Sequence, residues 1–222
     1  MRAGVGTRSQ VCASIGAMLR YVVSLLAIPL LGQSWYPKHN FTFGAGVGRP
    51  RGDLVSYFSD SPAVAVGYGY RFHPNLQIDV GLDTVFHAAG VKDFYESGFG
   101  AHRIRDYQFM VPMGGRAILP LAGGRLLFAG GGGGAYMRYS ERIYQPSDYY
   151  QIDCPVCASR DGWGYYGLLS ATAFVDRAKH FRLGVTSKVY RGHTDGEPLG
   201  SAPGARTRDR WINVYGEFGF SF

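Results

Sequence analysis

Residues 210–222 read RWINVYGEFGFSF, and the order of apolar and polar side chains in this stretch decides the fold. Ile212, Val214, Phe218, Phe220 and Phe222 fall on even positions, Asn213, Tyr215, Glu217, Gly219 and Ser221 on odd ones. A period of two places the sets on opposite faces of an extended chain, one apolar and one polar. The pattern recurs upstream. Segment 40–48 lines up Phe41, Phe43, Ala45 and Val47 on one face. Segment 63–72 sets Val64, Val66, Tyr68, Tyr70 and Phe72 against Ala65, Gly67, Gly69 and Arg71. Segment 76–86 sets Leu76, Ile78, Val80, Leu82 and Phe86 against Gln77, Asp79, Gly81 and Asp83. Segment 105–119 opposes Tyr107, Phe109, Val111 and Met113 to Asp106, Gln108, Gly114 and Arg116, and its Pro112 implies a bulge or distorted pairing. Segment 181–189 alternates Phe181, Leu183, Val185 and Val189 with Arg182, Gly184, Thr186 and Lys188. Segment 163–175 is a further strand. In 125–139 five glycines stand in a row at 130–134, but flanking Leu126, Leu127, Phe128 and Tyr136 favour a curved strand over a flexible linker. Eight strands are expected.

Their connections alternate too. Those near 73–75, 120–124 and 176–180 are short; those near 49–62, 87–104, 140–162 and 191–209 are long. Short turns on one rim and long loops on the other belong to an all-β, eight-stranded antiparallel up-and-down transmembrane β-barrel of the bacterial outer membrane. An even strand number puts both chain ends on the periplasmic rim and four long loops outside the cell. Composition agrees. Glycine is 33 of 222 residues and only 18% are charged, against about 7% and about 25% in ordinary domains, so long helices are not expected. The formal charge is +7, but the basic residues are scattered, which argues against a nucleic-acid partner.

Residues 1–34 carry Arg2, Arg8 and Arg20, no acid, an apolar run over 21–31 and the small-residue exit Gly32-Gln33-Ser34. Basic, then apolar, then small is the order of a secretory signal peptide. The run is about half the roughly 20 residues a spanning helix needs, so a permanent anchor is the weaker reading. Met18 is a second candidate start, because it leaves Arg20 as a compact basic beginning. Cleavage after Ser34 removes three arginines and leaves a mature charge of 7 − 3 = +4 on the barrel domain 35–222.

A secreted, soluble ligand-binding β-barrel or sandwich would also alternate, but its polar face would favour Thr, Lys and Glu over glycine. Here the polar face interleaves glycine with Arg71, Asp79, Asp83, Arg116, Arg182, Lys188 and Glu217. Charges of both signs suit a narrow lumen, where an unpaired ion costs several kcal/mol. A cross-lumen salt-bridge network of these seven residues is expected, plugging the barrel. The apolar face carries aromatics towards strand ends (Phe72, Phe86, Tyr107, Phe181 and, against strict alternation, Trp211), as interfacial girdles do.

The closing stretch, aromatic at Phe218, Phe220 and Phe222, resembles the last strand of outer-membrane β-barrels. With the signal segment and eight strands, nearly the whole mature region is similar to the small OmpA/OmpX-type barrels. The resemblance implies that Phe218, Phe220 and Phe222 are read by the barrel-assembly machinery; the bilayer is the expected partner and a monomer the expected state. Glu217, beside Gly216, stands where such strands often place a glycine.

Chemistry-bearing motifs are few. Cys154 and Cys157 form a C-x-x-C pair in the third long loop. A local disulfide is the expectation in an oxidising compartment, with a metal half-site or redox couple as alternatives that lack further ligands or a βαβ setting. His193 with Asp195 or Glu197 could supply a base and its orienting carboxylate. Lipid A deacylases and palmitoyl transferases are similar eight-stranded barrels with a histidine, a serine and an acid at the outer rim. Here Thr194 follows the histidine, and Asp195 and Gly196 stand where the deacylase pattern has serine and asparagine. Arg-Gly-Asp at 51–53 and the Gly44, Gly46, Gly48 spacing read as ordinary loop and strand. Arg191, Arg206, Arg208 and Arg210 could meet anionic headgroups or lipopolysaccharide phosphates. The reading is a non-enzymatic outer-membrane barrel, structural or surface-binding through its loops, without metal or cofactor. A lipid A-modifying hydrolase or acyl transferase is the alternative.

Overall fold

Segments with one apolar and one polar face bury neither until they pair, and pairing in this chain proceeds until the sheet meets itself. The computed structural model describes residues 36–56, 58–86, 94–97, 100–143, 158–197 and 206–222. The expected signal segment 1–34 and the pair Cys154 and Cys157 lie outside these residues. The strands are β1 (His39–Gly52), β2 (Ser61–His73), β3 (Leu76–Phe86), β4 (Phe94–Ser97), β5 (Gly100–Leu121), β6 (Leu126–Ile143), β7 (Ser159–Phe174), β8 (Phe181–Gly196) and β9 (Thr207–Ser221). Eight of them close a ring in the order β1, β2, β3, β5, β6, β7, β8, β9, with β9 returning to β1 and every neighbour antiparallel. β4 stands outside the ring and pairs with the start of β5.

Most strands run farther than the apolar alternation predicts, chiefly at the long-loop end. β8 continues to Gly196 and β9 starts at Thr207. There the outward face turns polar, with Arg191, His193 and Asp195 exposed on β8, so the alternation fades while the backbone ladder goes on.

Polarity across the wall is inverted relative to a water-soluble domain. Phe43 is 52% exposed, Ile78 54% and Leu169 71%, whereas Asp83, Gln108 and Asn213 are fully buried. Trp211 departs from the girdle expected of it: it is buried in the lumen and its indole N–H donates to the Tyr139 hydroxyl at 2.9 Å. Strict alternation prevailed, because a lumen-facing indole finds both apolar neighbours and an acceptor.

Pro112 produces no bulge. The β3–β5 ladder pairs Val80 with Met113, is interrupted opposite Pro112, and resumes in the same register at Asp83 and Met110. Lacking an N–H, proline costs the local pairing only. The register shift lies instead between Arg71 and His73.

The five glycines are strand throughout, paired with β5 on one side and β7 on the other. They alternate across both faces, and at Gly131, Gly132 and Gly133 the reason is close backbone approach. A Cβ at Gly131 would sit 2.2 Å from the Gly115 carbonyl oxygen, and one at Gly133 2.2 Å from that of Met113. At the short-turn rim the Asp176 carboxylate accepts from the backbone N–H groups of His180 (3.0 Å) and Phe181 (2.8 Å). Chiefly the His180 bond holds that carboxyl below its ordinary range.

A Cβ at Gly134 meets nothing within 4 Å, so Gly131→Ala and Gly134→Ala form a matched pair. Denaturant unfolding in micelles should show Gly131→Ala less stable by about 1–3 kcal/mol and Gly134→Ala changed by no more than about 0.5 kcal/mol.

Candidate functional site

With eight strands the interior is just wide enough to be filled by side chains, and the candidate site is therefore this filled lumen and the rim above it. Near the short-turn end Ile118, Leu127 and Phe174 form a small apolar cluster. Arg71 and Arg182 are buried in the same region, beside Gln77, Arg116 and Glu217. Arg182 donates to the side-chain oxygen of Asn40 at 2.7 Å and stands 3.8 Å from the Glu217 carboxylate. Glu217 also accepts from the Thr186 hydroxyl at 2.5 Å.

Higher in the lumen, the Arg116 Nε donates to Asp79 at 2.6 Å, both side chains largely buried. Across from them Asp83 accepts from Lys188 Nζ (2.7 Å), the Tyr190 hydroxyl (2.7 Å) and the Tyr215 hydroxyl (3.0 Å). Lys188 also lies 5.7 Å from the Tyr215 ring centre, within cation–π range. The geometry thus gathers Asp79 with Arg116, Asp83 with Lys188, and Arg182 with Glu217 as three stacked pairs.

Above the pairs lies an apolar layer absent from the polar-lumen expectation. Leu54, from a 3-10 turn over Asp53–Ser56, and Phe58 fold into the mouth beside Met110, Met137, Tyr139 and Trp211. Phe58 stacks on Tyr139 with ring centres 5.5 Å apart. A polar knot closes the top: Arg160 donates to the hydroxyls of Thr194 (3.0 Å) and Thr207 (2.8 Å), and both threonines donate to Asp209. Carrying the odd-number parity of β9 upstream through Asp209 and Thr207 would have found half of this knot.

The rim candidates are placed differently. His193 and Asp195 point outward and are exposed, while Thr194 between them is fully buried. Glu197 accepts from the backbone N–H of Ser159 at 3.2 Å. Among the described residues no hydrogen bond joins His193 to Asp195 or Glu197, and no group of three metal-ligating side chains occurs. Phe218 and Phe222 are exposed on the outward face, where the Phe220 ring packs tilted against Phe222 and Phe181.

Three lumen donors converge on Asp83. Asp83→Ala should cost about 3–5 kcal/mol by leaving Lys188 buried without its counter-charge, and adding Lys188→Met should recover part of the loss. Denaturant unfolding in micelles measures both.

No protein-family model and no curated protein matches this sequence. Solved structures do match. Neisserial surface protein A is 8% identical, with 83% of this chain and 97% of that one covered at a TM-score of 0.51. The outer membrane protein OprG from Pseudomonas aeruginosa is 13% identical over 84% and 97%, at 0.47. The attachment invasion locus protein Ail of Yersinia pestis is 8% identical over 83% and 100%, at 0.43. Identities this low speak to architecture alone. The match to neisserial surface protein A, with the closed ring, the inverted polarity and the filled lumen, establishes that the chain has the fold of the small eight-stranded outer-membrane β-barrels.

Proposed function

We propose that the protein is a monomeric barrel of the bacterial outer membrane, structural or surface-binding rather than catalytic, with a lumen closed to diffusion. The carrying observation is the inversion of polarity: a belt of exposed Phe, Val, Leu and Ile surrounds buried ion pairs. In water that belt would be a large aggregation-prone surface; in lipid it is the solvent-matched face. Closure of the lumen is supported by its voids. Beside Asp79, Arg116 and Tyr166 the free volume is about 30 Å³, and beside Arg71, Arg182 and Ser170 about 10 Å³. Such spaces suit a water molecule or two, not a hydrated solute. The mouth is stoppered further by Leu54 and Phe58. Outward-facing Phe218, Phe220 and Phe222 would serve as the signal to the assembly machinery, and the loops would carry any surface contact.

Membrane fractions expressing the protein should contain a band whose gel mobility shifts on boiling, and the purified barrel should give no porin-sized steps in planar bilayers. Porin-level conductance would overturn the closed lumen; recovery only in the soluble fraction would overturn membrane residence. Phe222→Ala should lower the yield of the heat-modifiable form without creating a soluble one.

A further inference from the structure

We infer that the outward faces of β1, β9 and β8, at their loop ends, bind the phosphate groups of anionic lipids in the surrounding leaflet. The inference rests on the membrane reading above and adds a lipid-selective site to it.

The register makes the case. Arg51 on β1 lies directly opposite Arg210 on β9, which lies directly opposite Arg191 on β8. One outward step further, Arg208 stands opposite His193. All are exposed, and among the described residues none of these four arginines has an ion-pair partner; Arg49, below them, is held by Asp60 at 3.0 Å. Opposed residues on adjacent strands are about 5 Å apart at Cα, and like charges placed so are destabilising. The other side of the same rim shows the usual remedy, where Arg138 on β6 is opposite Asp161 on β7. Three arginines in a row without that remedy call for an external anion.

The depth of the row names the anion's source. Phe41, Phe220 and Phe181 are cross-strand neighbours in the same order, ten residues below the arginines on every one of the three strands. Ten residues span about 33 Å along a strand and about 25 Å along the axis at a tilt of about 40°, the height of the apolar band of outer-membrane barrels. Val47, Val214, Leu183 and Val185 are exposed between the two rows. At the height of the arginines, Tyr165 is opposite Arg191 and Trp163 opposite His193, 59% and 63% exposed. Exposed aromatic rings at a band edge mark the headgroup level. The guanidinium fork matches phosphate oxygens bidentately. The row also faces sideways from the wall, so the anion that reaches it belongs to a lipid beside the barrel.

The test reconstitutes the full mature barrel in phosphatidylcholine vesicles containing dibrominated phosphatidic acid or dibrominated phosphatidylcholine. Quenching of Trp163 is isolated by difference from Trp163→Phe. Phosphatidic acid should be preferred about fivefold at low salt, and the preference should shrink in about 0.5 M salt. Arg51→Gln/Arg191→Gln/Arg210→Gln should bring it to parity with heat-modifiable mobility retained. Arg125→Gln/Arg177→Gln, exposed at the opposite rim, should leave it unchanged. Parity in the native protein, or preference kept in the triple variant, overturns the site. Loss of preference to millimolar inorganic phosphate overturns the lipid source in favour of a soluble anion. If brominated phosphatidylcholine also fails to quench Trp163, the membrane reading itself fails.

Discussion

Closure of the backbone ladder is the constraint on which everything else in this protein depends. A strand surrounded by hydrocarbon has no water for its N–H and C=O groups, so each must find a neighbouring strand on both sides. The ring meets that demand through one joint remote in sequence, β1 with β9. At that joint His39 and Phe222 exchange both backbone hydrogen bonds, at 2.8 and 3.0 Å. Once the ring is closed, its circumference fixes the room inside, and the lumen side chains must fill a cylinder of set width. This is why Gly131 and Gly133 lie against neighbouring carbonyls while Tyr139, Tyr190 and Trp211 are buried a few residues higher.

Filling that cylinder with charge creates an electrostatic problem, and the solution is layered. An isolated buried ion costs several kcal/mol, which only close pairing with further hydrogen bonds offsets. Asp83 illustrates the arrangement: one oxygen takes the ammonium of Lys188, and the other takes two tyrosine hydroxyls. Removing any one donor leaves the carboxylate partly served by the rest. The Arg160–Thr194–Thr207–Asp209 knot repeats this logic at the mouth with hydroxyls between cation and anion. Apolar layers separate the polar ones, so the barrel has a core although its outside is oily.

The strand cores were legible because one physical signal, the two-residue period, operates wherever one face meets an apolar medium and the other a polar lumen. Phe41 to Val47 and Ile212 to Phe222 carry it without ambiguity. The same signal placed Asp79, Asp83, Arg116, Arg182, Lys188 and Glu217 on the inner face, but partner choice depends on register across the ring, which no single strand encodes. Strand ends were illegible for a related reason. Beyond Arg191 and Arg210 both faces are polar, so hydrogen-bonded backbone leaves no hydrophobic trace. Leu54 and Phe58 sit in a connection, and nothing in their spacing says that they turn inward.

The two rims therefore differ in kind. At the short-turn rim the outward residues are aromatic (Phe41, Phe181, Phe220, Phe222), and tight turns such as the one capped by Asp176 leave little chain beyond them. At the long-loop rim the outward residues of β1, β9 and β8 become arginine. A barrel held only by hydrophobic matching would be content with aromatics at both edges, since rings satisfy an interface of either sign. Arginines aligned across three strands carry a cost in mutual repulsion that aromatics do not, and that cost is recovered only where the neighbouring leaflet supplies negative charge. An asymmetric wall of this kind has a preferred side, and its preference is written in residues ten positions apart on the same strands.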